Sequence, residues 1–162
     1  MNLTKTEKIT GIILAILLLL ITLSSTFFFL GKLKVSVIDW ISINACSPCN
    51  FLYILLFTIF LVRKNASYLA IASLPTYFLG TLSMFVLPWN NANTIPHIGH
   101  IIMTFNLIWV IYVIIKHKEY KSLAVGLLIS VLAFAPYIGY VLSYNQAHVE
   151  VISKLYQQAG IR

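Results

Sequence analysis

Five long apolar runs, separated by short polar or charged stretches, dominate the pattern along the chain. A bilayer core about 30 Å thick needs about 20 apolar residues in an α-helix, and the runs approach or exceed that length. The runs are continuously apolar and show no strand-like alternation of apolar and polar residues. The pattern therefore predicts an all-α, polytopic helical membrane protein. We place its five transmembrane helices at about residues 9–30, 48–62, 68–87, 98–115 and 123–144.

Prolines and polar residues interrupt this pattern at a few places. Pro75 and Pro136 fall inside the third and fifth runs, where a proline is expected to disturb the helix. Segment 35–45 is apolar but is broken by Asp39 and Asn44. We interpret it as an interfacial or re-entrant lead-in to the second transmembrane helix.

Composition supports the membrane class. Of the 162 residues, 60% are hydrophobic and 9% are charged, whereas a soluble domain carries about 25% charged residues. The pattern contains no repeat or linker, so residues 1–162 are expected to form one integral-membrane domain. The first apolar run exceeds the roughly 7–15 residues of a signal-peptide core, and we expect it to remain as a membrane anchor.

Lysine and arginine positions predict the orientation, because these residues accumulate on the inner side of a membrane. An inside N-terminus in the cell membrane places more of them inside than outside. The net charge of +7 is then explained by topology and by contact with anionic membrane lipids, so no nucleic-acid partner is required. The inner set is Lys5, Lys8, Arg63, Lys64, Lys116, Lys118 and Lys121, and the outer set is Lys32, Lys34, Lys154 and Arg162.

Two clusters of reactive side chains are expected at the outer interface. The stretch "ACSPCN" carries Cys46 and Cys49 at the start of the second transmembrane helix, and "PHIGH" carries His97 and His100 at the start of the fourth. Both helices start on the outer side in the predicted topology. Ionisable groups at membrane depth are costly and generally mark a site.

Two of the three chemistries open to these clusters use both cysteines. Cys46, Cys49, His97 and His100 together form the ligand set of a structural zinc site, although His97 follows Pro96 and can lie ahead of its helix. Alternatively, Cys46 and Cys49 form a redox-active pair, since an outer face permits a disulfide.

The third chemistry uses one cysteine as a nucleophile. Cys49 follows Pro48 into the first turn of a helix, where free N–H groups and the helix dipole stabilise a thiolate, whereas Cys46 is expected ahead of the helix. His100 is the candidate general base and later general acid, with Asp39 as a candidate to orient it. The candidate substrate-binding residues, as donors to an oxyanion, are Asn50, Asn93 and Thr94.

The segments "SPCNFLYILLFTIFLVRK" and "FLGTLSMFVLPWNNANTIPHIGHIIMTFNLIWVIYVI" carry a family resemblance. Within about residues 47–115 the chain resembles the membrane proteins around animal transmembrane protein 164 and their bacterial YwaF-like relatives. The resemblance implies a phospholipid acyltransferase that acts through a Cys–His pair. By position, that pair is Cys49 and His100, while Asn50 departs from the family in standing where a further histidine is expected.

These observations support two hypotheses of different classes. The first is acyl transfer or hydrolysis on phospholipid esters by Cys49 and His100 at the outer interface, with membrane lipids as substrates and no cofactor. The second is a non-enzymatic homo-oligomeric module, such as a channel-like subunit, a sensor or a scaffold. Asn106 suits a hydrogen bond between helices better than an ion path, because no ring of acidic residues accompanies it.

Overall fold

All secondary structure in the computed structural model, which describes residues 1–90 and 93–158, is helical. No strand occurs in these ranges, so the predicted all-α class is confirmed. Residues 91 and 92, between the predicted third and fourth helices, and Arg162 lie outside the described residues. The elements are α1 (Lys5–Thr26) with a π-helical continuation (Phe27–Lys32), α2 (Val37–Ile43), α3 (Cys46–Arg63), α4 (Ser67–Thr76) with a π-helical continuation (Tyr77–Thr81), α5 (Ser83–Val86), α6 (Thr94–Lys116), α7 (Tyr120–Ala147) and α8 (Val149–Gln158).

Five helical segments of the described chain are long and apolar enough to cross a membrane, as predicted. The third of them combines α4, its π-helical continuation and α5. This arrangement fits a multi-pass membrane protein. The segments are Lys5–Lys32, Cys46–Arg63, Ser67–Val86, Thr94–Lys116 and Tyr120–Ala147.

All five segments begin earlier than predicted, and in two of them the earlier start brings a candidate site residue into the helix. The helix α3 starts at Cys46, and α6 starts at Thr94. In each helix a proline, Pro48 or Pro96, occupies the third position. The first four N–H groups of a helix have no partner within it, so a proline there removes no hydrogen bond. Cys46 and His97, which were expected ahead of their helices, therefore belong to them.

The third segment changes its hydrogen-bond pattern shortly after Pro75. Residues Tyr77–Thr81 are π-helical, and the N–H of Leu82 donates to the carbonyl oxygen of Tyr77 over 3.0 Å. A proline lacks the N–H of a regular turn, and a π turn next to it re-satisfies the backbone with a different spacing. The disturbance expected in this run is therefore a local change of helix type.

A buried core joins α1, α3, α4 and α6. The ring of Phe57 in α3 lies edge-on against Trp109 of α6, with 5.6 Å between the ring centroids. Leu18 of α1 and Leu69 of α4 are both fully buried in the same cluster. These four helices thus form the packed core of the protein, and two of them, α3 and α6, carry the candidate site residues Cys49 and His100.

Polar side chains fasten α1 to α6. Asn106 donates from Nδ2 to the carbonyl oxygen of Leu14 over 3.2 Å, which confirms its predicted role between helices. Towards the start of α1, Glu7 pairs with Lys116 at 2.7 Å and with His117 at 3.1 Å. These contacts fix the position of α1 relative to α6 along the helix axes.

The last long helix, α7, packs closely against α4 at Gly126. A Cβ atom placed on Gly126 would lie 2.4 Å from the Cβ of Ala70 and 2.7 Å from the carbonyl oxygen of Ser67. Small residues allow such a close approach of two membrane helices. Large apolar side chains elsewhere on α7 are exposed, as expected for a surface in contact with lipid, and include Leu128, Val131, Leu132 and Leu142.

Candidate functional site

A small apolar pocket lies between α3, α4 and α7, and Cys49 forms part of its wall. Its volume is about 180 Å³. Cys49 is only 6% exposed, whereas Leu52 and Ala133 on the same wall are exposed on the outer surface of their helices. The pocket therefore reaches the surface that apolar helices present to a membrane. Its wall consists of Pro48, Cys49, Leu52, Ile71, Pro75, Ser130, Ala133, Phe134 and Tyr137.

Two hydroxyl groups from α7 also line this pocket, and they differ in their bonding. The Tyr137 hydroxyl lies 3.0 Å from the carbonyl oxygen of Ile41 and 3.3 Å from that of Ala45, and it donates to this pair. The hydroxyl oxygen of Ser130 is buried and has no hydrogen-bond partner. Tyr137 thus holds the start of α3 in place, while Ser130 leaves one hydroxyl available inside the pocket.

Cys46 has different surroundings from Cys49. Its thiol lies 3.0 Å from Oδ1 of Asn44 and donates to it, and Asn44 in turn donates from Nδ2 to Ser25 of α1 over 2.9 Å. Cys46 is not part of the pocket wall, and both cysteines are free thiols. The two sulfur atoms are therefore placed for different roles.

The two candidate histidines lie together on α6. His97 is 2% exposed and His100 is 8% exposed, and their rings meet edge to face with 6.2 Å between centroids. His97 stacks on Trp89 at 3.8 Å and its Nε2 lies 3.2 Å from the carbonyl oxygen of Pro88. Nδ1 of His97 and Nδ1 of His100 are both buried without a hydrogen-bond partner. His97 is held by its Nε2 and by Trp89, while each of the two histidines keeps one ring nitrogen without a partner.

The helix α1 shows that Cys49 and His100 lie at a similar level. Asn50, which follows Cys49, donates from Nδ2 to the Thr22 hydroxyl over 3.1 Å. Gly99, which precedes His100, lies against the adjacent residue of α1, since a Cβ on it would be 3.6 Å from Ile21. Neighbours of the two candidate catalytic residues thus meet α1 at consecutive positions.

Cys49 and His100 lie at a similar level along α1, but the structure does not bond them to each other. Among the described residues no hydrogen bond joins Cys49 to His100, and His100 does not line the Cys49 pocket. In the same part of the chain, no group of three or more His, Cys, Asp or Glu side chains is placed to hold a metal ion. The alternative zinc ligands, Cys46, Cys49, His97 and His100, are therefore not assembled into one site.

The candidate substrate-binding residues are engaged within the protein. The amide group of Asn50 donates to Thr22, and that of Asn93 donates to the carbonyl oxygen of Pro88 over 2.9 Å. Thr94 is exposed and its hydroxyl lies 3.4 Å from the carbonyl oxygen of Asn90. The free buried atoms of Asn50 and Asn93 are their Oδ1 acceptors, which cannot donate to an oxyanion.

Asp39 binds elsewhere than expected. Its carboxylate accepts hydrogen bonds from the Ser36 hydroxyl at 2.6 Å and the Tyr144 hydroxyl at 2.7 Å. These bonds, that of Ser36 first, hold the pKa of Asp39 below its usual value, because they favour the charged form. The acid therefore anchors α2 to the end of α7 and does not orient His100.

Sequence reasoning did not single out Ser130, Phe134 and Tyr137 as a group. Their spacing of four and then three residues places them on one face of a helix, which was visible in the sequence. The helix that this face contacts was not visible. The structure pairs the face with the start of α3 and thereby brings a free hydroxyl to the Cys49 pocket.

The comparisons with known proteins add no relative to this description. No protein-family model, no curated protein and no solved structure matches the chain.

Proposed function

We propose that this protein transfers or hydrolyses the acyl groups of phospholipid esters, with Cys49 as the nucleophile. The observation that carries the proposal is the position of the Cys49 thiol on the wall of an apolar pocket between membrane-spanning helices. Acyl chains of lipids are the most abundant apolar groups in a membrane. A thiol at such a pocket meets the carbonyl end of a chain whose methylene groups occupy the apolar wall.

The reaction is a double displacement. His100 takes the proton of the Cys49 thiol, and the thiolate attacks the ester carbonyl carbon. A carbon–sulfur bond forms while the π electrons move onto the carbonyl oxygen. When they return, the ester carbon–oxygen bond breaks, and the leaving alkoxide takes the proton from His100. The hydroxyl of a lysolipid or of water then attacks the thioester carbon while His100 takes its proton. The carbon–sulfur bond breaks, and the leaving thiolate takes the proton from His100. The scheme uses no metal or nucleotide.

His100 suits the role of base for two reasons. Its Nδ1 is buried and unpaired, and its neighbour Gly99 contacts α1 next to the position that binds Asn50. Because His100 and Cys49 are not hydrogen-bonded in this structure, proton transfer requires a bridging water or a side-chain movement. Binding of the substrate between the helices can cause such a movement.

The first test detects the covalent intermediate. Purified full-length protein is incubated with phosphatidylcholine vesicles whose acyl chains are deuterated, and the protein is analysed by mass spectrometry. We expect an acyl thioester on Cys49 that accumulates at least roughly tenfold more slowly in His100→Ala, because a general base contributes about 10²–10⁴-fold. His117→Ala is the matched control at the other end of α6 and should leave the rate unchanged, because the Glu7–Lys116 pair still joins α1 to α6. A wild-type protein that never acquires the adduct would contradict the proposed reaction.

The proposal places this site on the outer side of the cell membrane, with the N-terminus inside, as the lysine and arginine positions favour. Lys34 lies between α1 and α2, and Lys118 lies between α6 and α7; both are exposed. In a variant without native cysteines, a membrane-impermeant maleimide should label Lys34→Cys in intact cells and Lys118→Cys only after permeabilisation. The opposite labelling pattern would reverse the orientation.

A non-enzymatic homo-oligomeric module is the second candidate. The observation that favours it is the absence of a hydrogen bond between Cys49 and His100 in the described structure. The broad apolar surface of α7 would then contact a second copy of the chain instead of lipid alone. Cells whose lipid composition is the same with wild type and with Cys49→Ser, together with a stable oligomer in mild detergent, would favour this candidate.

A further inference from the structure

Of the buried side-chain atoms that lack a hydrogen-bond partner among the described residues, the hydroxyl oxygen of Ser130 is the one whose residue lines the Cys49 pocket. Ser130 is 1% exposed, lies in the membrane-spanning part of α7, and has no hydrogen-bond partner for its hydroxyl oxygen. A buried hydroxyl without a partner destabilises a protein, and such groups are rare unless they have another role. Because the same residue lines the Cys49 pocket, that role concerns what the pocket binds.

The other polar groups of the pocket wall cannot take this role. The Tyr137 hydroxyl already donates to the carbonyl oxygens at the end of α2 and the start of α3. Asn50, the neighbour of Cys49, does not line the pocket, and its amide donates to Thr22 of α1. Cys49 is itself the proposed nucleophile. Ser130 is thus the wall residue whose O–H is free to donate to a ligand.

We propose that Ser130 donates a hydrogen bond to the carbonyl oxygen of the acyl group that reacts with Cys49. This inference rests on the proposed acyl-transfer function and replaces Asn50, Asn93 and Thr94 as the source of that donor. As the carbon–sulfur bond forms, negative charge develops on the carbonyl oxygen, and the Ser130 O–H stabilises it without giving up its proton. A donor in an apolar pocket stabilises such charge more strongly than one in water.

The remaining wall of the pocket defines the class of ligand. Apart from Cys49, Ser130 and Tyr137, its side chains are apolar, and they include Leu52, Ile71 and Phe134. Such a wall accommodates methylene groups and offers no partner for a charged headgroup. The pocket therefore binds the carbonyl end of an acyl chain, and the headgroup stays outside, towards the interface.

The test compares Ser130→Ala with the wild type in the vesicle assay for the Cys49 adduct. Loss of one donor to an oxyanion typically lowers the rate about 10²–10³-fold, so we expect the adduct to form at least roughly tenfold more slowly, with little change in the apparent KM. Ser130→Thr, which keeps a hydroxyl, should retain much of the rate. Ser73→Ala is the matched control, because Ser73 is buried on α4, bonds to the carbonyl oxygen of Ala70 and does not line the pocket.

Thermal unfolding separates a chemical role from a structural one. Because the Ser130 hydroxyl has no partner in the free protein, Ser130→Ala should unfold at the same temperature as the wild type or higher, while it reacts more slowly. A slower reaction that accompanies a lower unfolding temperature would assign Ser130 a structural role and overturn the inference. An unchanged rate in Ser130→Ala would also overturn it and would leave the Cys49 reaction standing. A wild type without adduct would overturn both.

Discussion

Replacement of Cys49 by serine should abolish the acyl adduct and the associated lipid turnover, whereas replacement of Cys46 should leave most of both. Cys49 lines the apolar pocket, while the thiol of Cys46 donates to Asn44 outside it. Loss of a nucleophile lowers turnover by roughly 1,000-fold or more in enzymes that form an acyl intermediate. The measurement is mass spectrometry of protein and lipids from cells that express each variant.

The comparison of the two variants also distinguishes the chemistries that use both sulfur atoms. A disulfide exchange pair or a zinc site requires Cys46 and Cys49 equally, so each serine variant would lose activity to the same extent. Equal losses would therefore contradict a single nucleophile. If Cys49→Ser turns over lipid at the wild-type rate, Cys49 has no covalent role.

Replacement of Gly126 by alanine should produce the largest loss of stability among small substitutions in α7. The added methyl group would lie 2.4 Å from the Cβ of Ala70 and 2.7 Å from the backbone oxygen of Ser67, so α7 has to move away from α4. Overpacking of this kind costs about 1–3 kcal/mol. We expect a lower midpoint of thermal unfolding in detergent, read from tryptophan fluorescence.

Gly139 provides the matched control on the same helix. Apart from its chain neighbours and the backbone of its own helix, no atom lies within 4 Å of a Cβ placed on Gly139, so Gly139→Ala meets no steric obstacle from other elements. Alanine in a helix is favoured over glycine by about 0.5–1 kcal/mol, and the variant should be as stable as the wild type or slightly more stable. If both glycine variants unfold at the same temperature, the close contact between α4 and α7 is not as described.

The membrane-spanning helices could be predicted from the sequence because short polar or charged stretches separate the apolar runs. Arg63 and Lys116, for example, end the second and fourth spans where they were expected. The starts at Cys46 and Thr94 were missed because the second span was begun at Pro48 and the fourth was begun after Pro96. A proline is tolerated at the third helical position as well as at the first, because neither N–H has a partner within the helix. The sequence alone therefore does not show at which residue the helix begins.

The candidate site was harder to predict because membrane helices are apolar on every side. In a soluble protein a polar face tells which side of a helix meets water, but here Leu52 and Phe57 look alike in sequence. One is exposed and lines the pocket, and the other is buried against Trp109. The shared level of Cys49 and His100 followed from topology, whereas the neighbours of each side chain required the three-dimensional arrangement.

The exposed rim of the Cys49 pocket, at Leu52 and Ala133, also determines how the concentration of the proposed lipid substrate has to be expressed. A ligand that enters from the hydrocarbon side never equilibrates with the aqueous volume of the sample. Its occupancy depends by mass action on its mole fraction among the surrounding lipids. Added detergent therefore dilutes it at constant molarity, and rates from micelles and bilayers are comparable only when expressed per lipid molecule.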